Sequence, residues 1–171
     1  MVIIERDPAD TVAGSDPVTW AMAQLEDALR RRGWGQGGGA DLTILVAGPD
    51  SARAQRALAA AGLALPAAPE ALALVRSSDT LLTAGSDVRG VVYAVLDVAD
   101  RVRCAERLAA ALDFHRPVLE QPSNAVRSVA RLFSSDVEDR AWWYDRSFWT
   151  EYLTELATHR FNRFNLTLGL G

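Results

Sequence analysis

The last third of the chain carries the pattern that most limits its fold. The run "AVRSVARLF" (125–133) alternates with period two, "DRSFWTEYLTELATHR" (145–160) repeats at helical spacing, and "HRFNRFNLTLGLG" (159–171) ends in alternation again. Strand, helix, strand in this order predicts parallel pairing through a crossover. Two parallel strands are not stable alone, because both faces need cover and both edges need partners. The expectation is therefore the first β-α-β unit of a truncated TIM-type barrel, with about six further strand-helix units elsewhere. Asp145 is expected to cap the helix, and Trp149, Tyr152, Leu153, Leu156 and Ala157 to form its buried stripe, with Glu151, Thr154, Glu155 and Thr158 facing water. With the apolar strand faces set against the helix, Arg127, Arg131, Asn165 and Thr167 are expected on the opposite side, the barrel interior.

Composition excludes several function classes. Hydrophobic residues are 49% and charged residues 23% of 171, so a packed core is available. The net charge of -4 gives no overall attraction for nucleic acid or an anionic membrane. All 18 basic residues are arginine, which removes lysine-dependent P-loop or Schiff-base chemistry. One cysteine, Cys104, and two histidines, His115 and His159, give neither an internal disulfide nor a zinc-ligand spacing, so no metal or cofactor is expected. The start "MVIIERDPAD" lacks the apolar core of a secretory signal, and Pro66, Pro69 and Glu70 interrupt the most apolar stretch, 57–75. Together these predict a cytoplasmic protein that does not cross a membrane.

Residues 1–116 read as a small α+β domain with a mixed sheet, an α/β sandwich. "VIIE" (2–5) is a short strand. Asp16 and Pro17 open a helix with Val18, Ala21, Met22, Leu25 and Leu29 on one face, and Gly33 stops it. The arginines 30–32 complement the helix dipole there. "GWGQGGG" (33–39) resembles a phosphate loop, but it follows a helix and precedes the strand "DLTILVAG" (41–48), so it is expected to be a flexible connector. A second helix is expected over 51–61, capped by Asp50 and stopped by Gly62. "ALALVR" (71–76) and "TLLTAG" (80–85) read as a hairpin. A long helix follows from Asp87 with Val88, Val91, Val92, Val95, Ala99 and Val102 on its stripe, and 105–113 extends it or adds a short helix.

"FHRPVLEQPSN" (114–124) marks a boundary, with 117–124 as linker and 125–171 as the incomplete barrel. Barrel sites lie at the carboxyl ends of strands. The segment leaving the first barrel strand, "SSDVEDRAWWYD" (134–145), is expected to be a loop there. Its Asp136, Glu138 and Asp139 could accept bonds from vicinal hydroxyls, while Trp142 and Trp143 could cover the C–H face of a pyranose. The competing reading is that the tryptophans staple a helix start and the acids serve its dipole. Arg127 and Arg131 should find carboxylates, from the protein or from a ligand, and Arg127 could instead lie at the bottom of the barrel.

The stretch "LEQPSNAVRSVARLFSSDVEDRAWWYDRSFWTEYLTELATHRFNRFNLTLGLG" (119–171) resembles the opening of the catalytic barrel in bacterial glycoside hydrolases of the α-glucuronidase and β-hexosaminidase group. "GSDVRGVVYAVLDVADRV" (85–102) is similar to the last helix of the small α+β domain that precedes that barrel. The resemblance implies a parent enzyme that hydrolyses O-glycosyl bonds, with a carbohydrate substrate. It implies that Arg127, which matches an arginine opening the first barrel strand, binds sugar hydroxyls. The glycine that usually follows is Ser128 here, and the usual aspartate later in the strand is absent. Catalytic acids in the family come from later strands, so no catalytic residue is assigned and the segment alone is expected to be inactive. The alternative is a stand-alone interaction or carbohydrate-binding module.

Overall fold

The computed structural model describes residues 2–33 and 42–169, so most of the glycine-rich stretch 33–39, expected as a connector, lies outside the described residues, as does Leu170 of the alternating run expected in 159–171. The chain divides into two compact units, Met1–Pro122 and Ser123–Gly171.

The first unit is an α+β domain with a five-stranded mixed sheet, in the order β1-β2-β4-β3-β5. Its strands are β1 (Val2–Arg6), β2 (Leu42–Ala47), β3 (Leu72–Arg76), β4 (Thr80–Gly85) and β5 (Val118–Glu120), and its helices are α1 (Asp16–Arg31), α2 (Ala52–Ala60), α3 (Val88–Cys104) and α4 (Leu108–Ala111). β1, β2 and β4 run parallel, while β3 is antiparallel to both β4 and β5. β5 falls inside the stretch 117–124 expected as linker, where its three residues complete one edge of the sheet.

Alternation along the strands divides the sheet between two helical layers. On one side α3 lies against β4 and β3, and α1 packs alongside α3. Ile44, Val46, Leu72, Leu74 and Leu81 are fully or almost fully buried; burial of such a side chain contributes about 1.5–3 kcal/mol. Alternation places these residues on the α3 side. The other side carries Leu45, Ala47, Ala73, Val75, Leu82 and Ala84, covered by Ala54 and Leu58 of α2 with Leu63 and Leu65 beside them.

Local chemistry sets the helix ends. The long helix begins after Asp87, near the expected start, and Asp87 is its cap, accepting from the Gly90 N–H at 2.8 Å. Gly62 at φ +70 ends α2 and Gly33 at φ +75 follows α1. The α2 cap is Ser51, not Asp50: Ser51 Oγ accepts from the Ala54 N–H and donates to Asp7 at 2.6 Å. That bond, with the Ala9 N–H on the other oxygen, holds the Asp7 carboxyl below the usual range. The cap of α1 shifts the other way, one residue earlier than expected, to Ser15.

The second unit contains β6 (Ser128–Phe133), α5 (Asp136–Trp143), α6 (Arg146–Thr158) and β7 (Arg163–Leu168). β6 and β7 pair in parallel, from Ser128 opposite Arg163 to Phe133 opposite Leu168. α5 occupies the segment expected as loop, because Ser135 Oγ accepts from the Glu138 N–H and three acids in its first turn favour the helix dipole. Asp145 caps α6, as its position suggested. No described residue of α5 or α6 is fully buried; Leu153 is exposed and Thr154 and Thr158 are half-buried, against the expected stripe.

Candidate functional site

The carboxyl end of β6 leads through Ser134 and Ser135 into α5, and one carboxylate organises that turn. Asp139 Oδ2 accepts from the N–H groups of Ser134 (2.6 Å) and Ser135 (3.2 Å), and its Oδ1 accepts from Trp142 Nε1 (2.8 Å). The Ser134 N–H, aided by Trp142, Ser135 and the charge of Arg131, holds the Asp139 carboxyl below its ordinary value. It is therefore ionised at neutral pH and is a bond acceptor, not a proton donor.

Arg131 differs in placement from its sequence expectation. It shares a face with Val129 and Phe133, the half-buried residues of β6, and this is the face that α5 and α6 cover. Its guanidinium carbon lies 4.1 Å from the centre of the Trp142 ring, 4.9 Å from Phe148 and 5.5 Å from Tyr152. Flat aromatic faces attract the planar cation, which accounts for its place on the helix-covered face. Its buried Nε has no hydrogen-bond partner among the described residues. The opposite face of the sheet carries Ser128, Ala130 and Leu132 with Arg163, Asn165 and Thr167 in register beside them; Asn165 Nδ2 donates to Ser128 Oγ at 2.8 Å.

Arg127 precedes β6, at the amino end of the strands. Its Nε donates to the Arg160 carbonyl (2.6 Å) and Nη1 to the Asn124 carbonyl (2.8 Å), while its backbone is tied to Asn162. These bonds fasten the turn between α6 and β7. The amino end is remote from the turn where Asp139 sits.

Asp136 and Glu138 project from the first turn of α5. Asp136 pairs with Arg140 one turn on, at 3.1 Å with both side chains more than half exposed, so the pair contributes little to stability. Glu138 is exposed, beside Val137 at 94% exposure. Trp142 and Trp143 are half-buried in an aromatic cluster with Phe133, Phe148, Trp149 and Tyr152. Trp149 extends it to Phe164 of β7, centroids 5.8 Å apart, and donates Nε1 to the Trp143 carbonyl. The sequence indicates the tryptophans but not Phe133, Phe148 and Tyr152 as their partners, because the cluster draws on four elements. Of the seven expected residues, Arg131, Asp139, Trp142 and Trp143 come together, Asp136 and Glu138 stand exposed nearby on α5, and Arg127 lies at the other end.

Chemically, the turn offers exposed carboxylates able to accept hydroxyl hydrogen bonds, on the same helix as two tryptophans of the aromatic cluster. Among the described residues no three metal-ligating side chains converge, and no helix is long and apolar enough to cross a membrane.

No family model matches the chain, and no curated protein is significantly similar to it in sequence. Solved structures are similar in fold. The chain superposes on a GH138 enzyme targeting pectin rhamnogalacturonan II, with a TM-score of 0.67 and 17% identity, covering 98% of this chain and 19% of that one. It superposes on a GH115 4-O-methyl-α-glucuronidase with specificity for decorated arabinogalactans, with a TM-score of 0.63 and 16% identity, covering 97% of this chain and 24% of that one. The fold is thus one found within glycoside hydrolases, and this chain spans a quarter or less of each of these two.

Proposed function

We propose that this chain is part of a carbohydrate-acting glycoside hydrolase, in which it supplies a small α+β domain and the opening β-α-β unit of the catalytic barrel. The observation that carries this reading is the parallel pair β6 and β7. Helices cover one of its faces incompletely, leaving Leu168 52% exposed, and Leu132 is 54% exposed on the other, a state that further strands and helices would relieve. The fold shared with a GH138 enzyme targeting pectin rhamnogalacturonan II and a GH115 α-glucuronidase with specificity for decorated arabinogalactans supports the same reading. Membership of the α-glucuronidase and β-hexosaminidase group, residence in the cytoplasm and a barrel completed by other strands belong to this proposal. Contact with sugar hydroxyls by Asp136 and Glu138 does so too. The two catalytic carboxyl groups, which must flank the scissile bond about 5–9.5 Å apart, come from outside these residues.

Residues 1–171 alone are expected to show no turnover of aryl glycosides, including aryl glucuronides and N-acetylhexosaminides. The polypeptide translated from the intact native locus is expected to hydrolyse at least one. Turnover by 1–171 that Asp136→Asn or Glu138→Gln abolishes would overturn the assignment of catalysis to other strands. An inactive native product that unfolds cooperatively as a defined oligomer would favour a binding module instead.

A further inference from the structure

The first unit holds a cavity of about 530 Å³ between α2, the segment after it and the carboxyl ends of β2 and β4. That volume falls in the range of small-molecule sites, about 300–1,000 Å³. Crevices at the carboxyl ends of parallel strands are where open α/β sheets take ligands. The strand register creates the space. Leu45, Leu82 and Val75 stand level across β2, β4 and β3, and two residues along the next row is Ala47, Ala84 and Ala73. The sheet surface under α2 therefore steps down from large to small side chains, and Ala84, in the middle of the lower row, lines the cavity with Ala54 of α2.

The lining also defines what could occupy it. No charged or aromatic residue is among those that line it, so neither an ion nor a stacked sugar ring has a partner. From Ala57 to Pro69 no side chain is charged or able to hydrogen-bond, where the overall 23% of charged residues would give about three. The amino end of α2 does not call for an anion either, because the ionised Asp7 already lies 2.6 Å from its cap, Ser51. The Ser86 hydroxyl is engaged, donating to Ala68 and accepting from Ala71. Gln55, held by its Nε2 on the Pro49 carbonyl, keeps its amide oxygen as an acceptor.

We propose that this cavity is a binding site for a small neutral molecule with an aliphatic body and one hydroxyl, which donates to Gln55. The probe is cyclohexanol, titrated into ¹⁵N-labelled 1–171 and followed by amide shifts. Saturable shifts at Gly48, Gln55, Ala84 and Ser86 are expected, with cyclohexylammonium and cyclohexanecarboxylate about tenfold weaker, since each would bury an unpaired charge. Ala84→Leu should remove binding by filling the floor. Ala67→Leu, at an exposed rim position where folding is not at stake, should weaken it by at least severalfold. Shifts that rise linearly without saturation, equal response to the three probes, or indifference to Ala67→Leu would overturn the proposal.

Discussion

At the residue scale, Asp139 shows how one side chain can be identified correctly by type and incompletely by role. An acid in that segment is legible, and so is its value at a helix start. Its bonds to two preceding N–H groups and to an indole are not, because they depend on a sharp turn at Ser134 and Ser135. Arg131 is a similar case: period two places it on one side of β6, but which side the helices cover is decided by aromatic packing across α5 and α6. Because the folded carboxyl of Asp139 is held below its ordinary value of 3.8, its stabilising effect is complete above that value and fades as pH falls through the lower folded one. Asp139→Asn is therefore expected, at pH 7, to lower the urea concentration at which the tryptophan fluorescence of the second unit begins to change in the full chain. The gap from wild type should narrow below about pH 4. An equal gap at pH 7 and pH 2.5, read by tryptophan fluorescence, would contradict this.

At the element scale, capping residues and hydrophobic spacing reveal most helices, while short or edge elements escape. Asp87 and Asp145 announce α3 and α6, and "SSD" joins β3 to β4 as expected. β5 escapes because three residues between prolines carry no period, and α5 because it is only eight residues long and four of them are charged. The junction of β4 and α3 makes a demand that the pattern does not show. A Cβ on Gly90 would lie 2.3 Å from the Ala71 carbonyl oxygen, and one on Gly85 2.0 Å from the Val91 nitrogen. Both partners are backbone atoms, so relief requires moving α3 from the sheet. Gly90→Ala gains helix propensity but should still destabilise the first unit by about 1–3 kcal/mol, measured by urea unfolding; a neutral or stabilising result would show that α3 moves freely.

At the scale of the whole molecule, the two units differ in how much core they own. Among the described residues every buried hydrophobic side chain lies at or before Phe114, and the second unit relies on a half-buried aromatic layer. Residues 1–122 expressed alone are expected to unfold cooperatively with a midpoint close to that of the same unit in the full chain. Residues 123–171 alone should lack a cooperative transition by circular dichroism. Stable folding of 123–171 would mean that its sheet needs no further strands. The sequence foretells the parallel pair in that unit because order alone dictates it, but it does not foretell the cavity under α2, whose volume depends on which strands stand level.

The strand order has a consequence for synthesis. β2 has only two neighbours, β1 before it and β4 well after it. On the ribosome, "LTILVA" therefore emerges with one flank open and stays so until residues 80–85 leave the exit tunnel. The hairpin of β3 and β4 closes over a short loop and is the quickest contact to make. A nascent chain thus joins β2 to the rest of the sheet only after β4 emerges, and slow translation before residue 85 would prolong the interval in which that apolar flank could meet another chain.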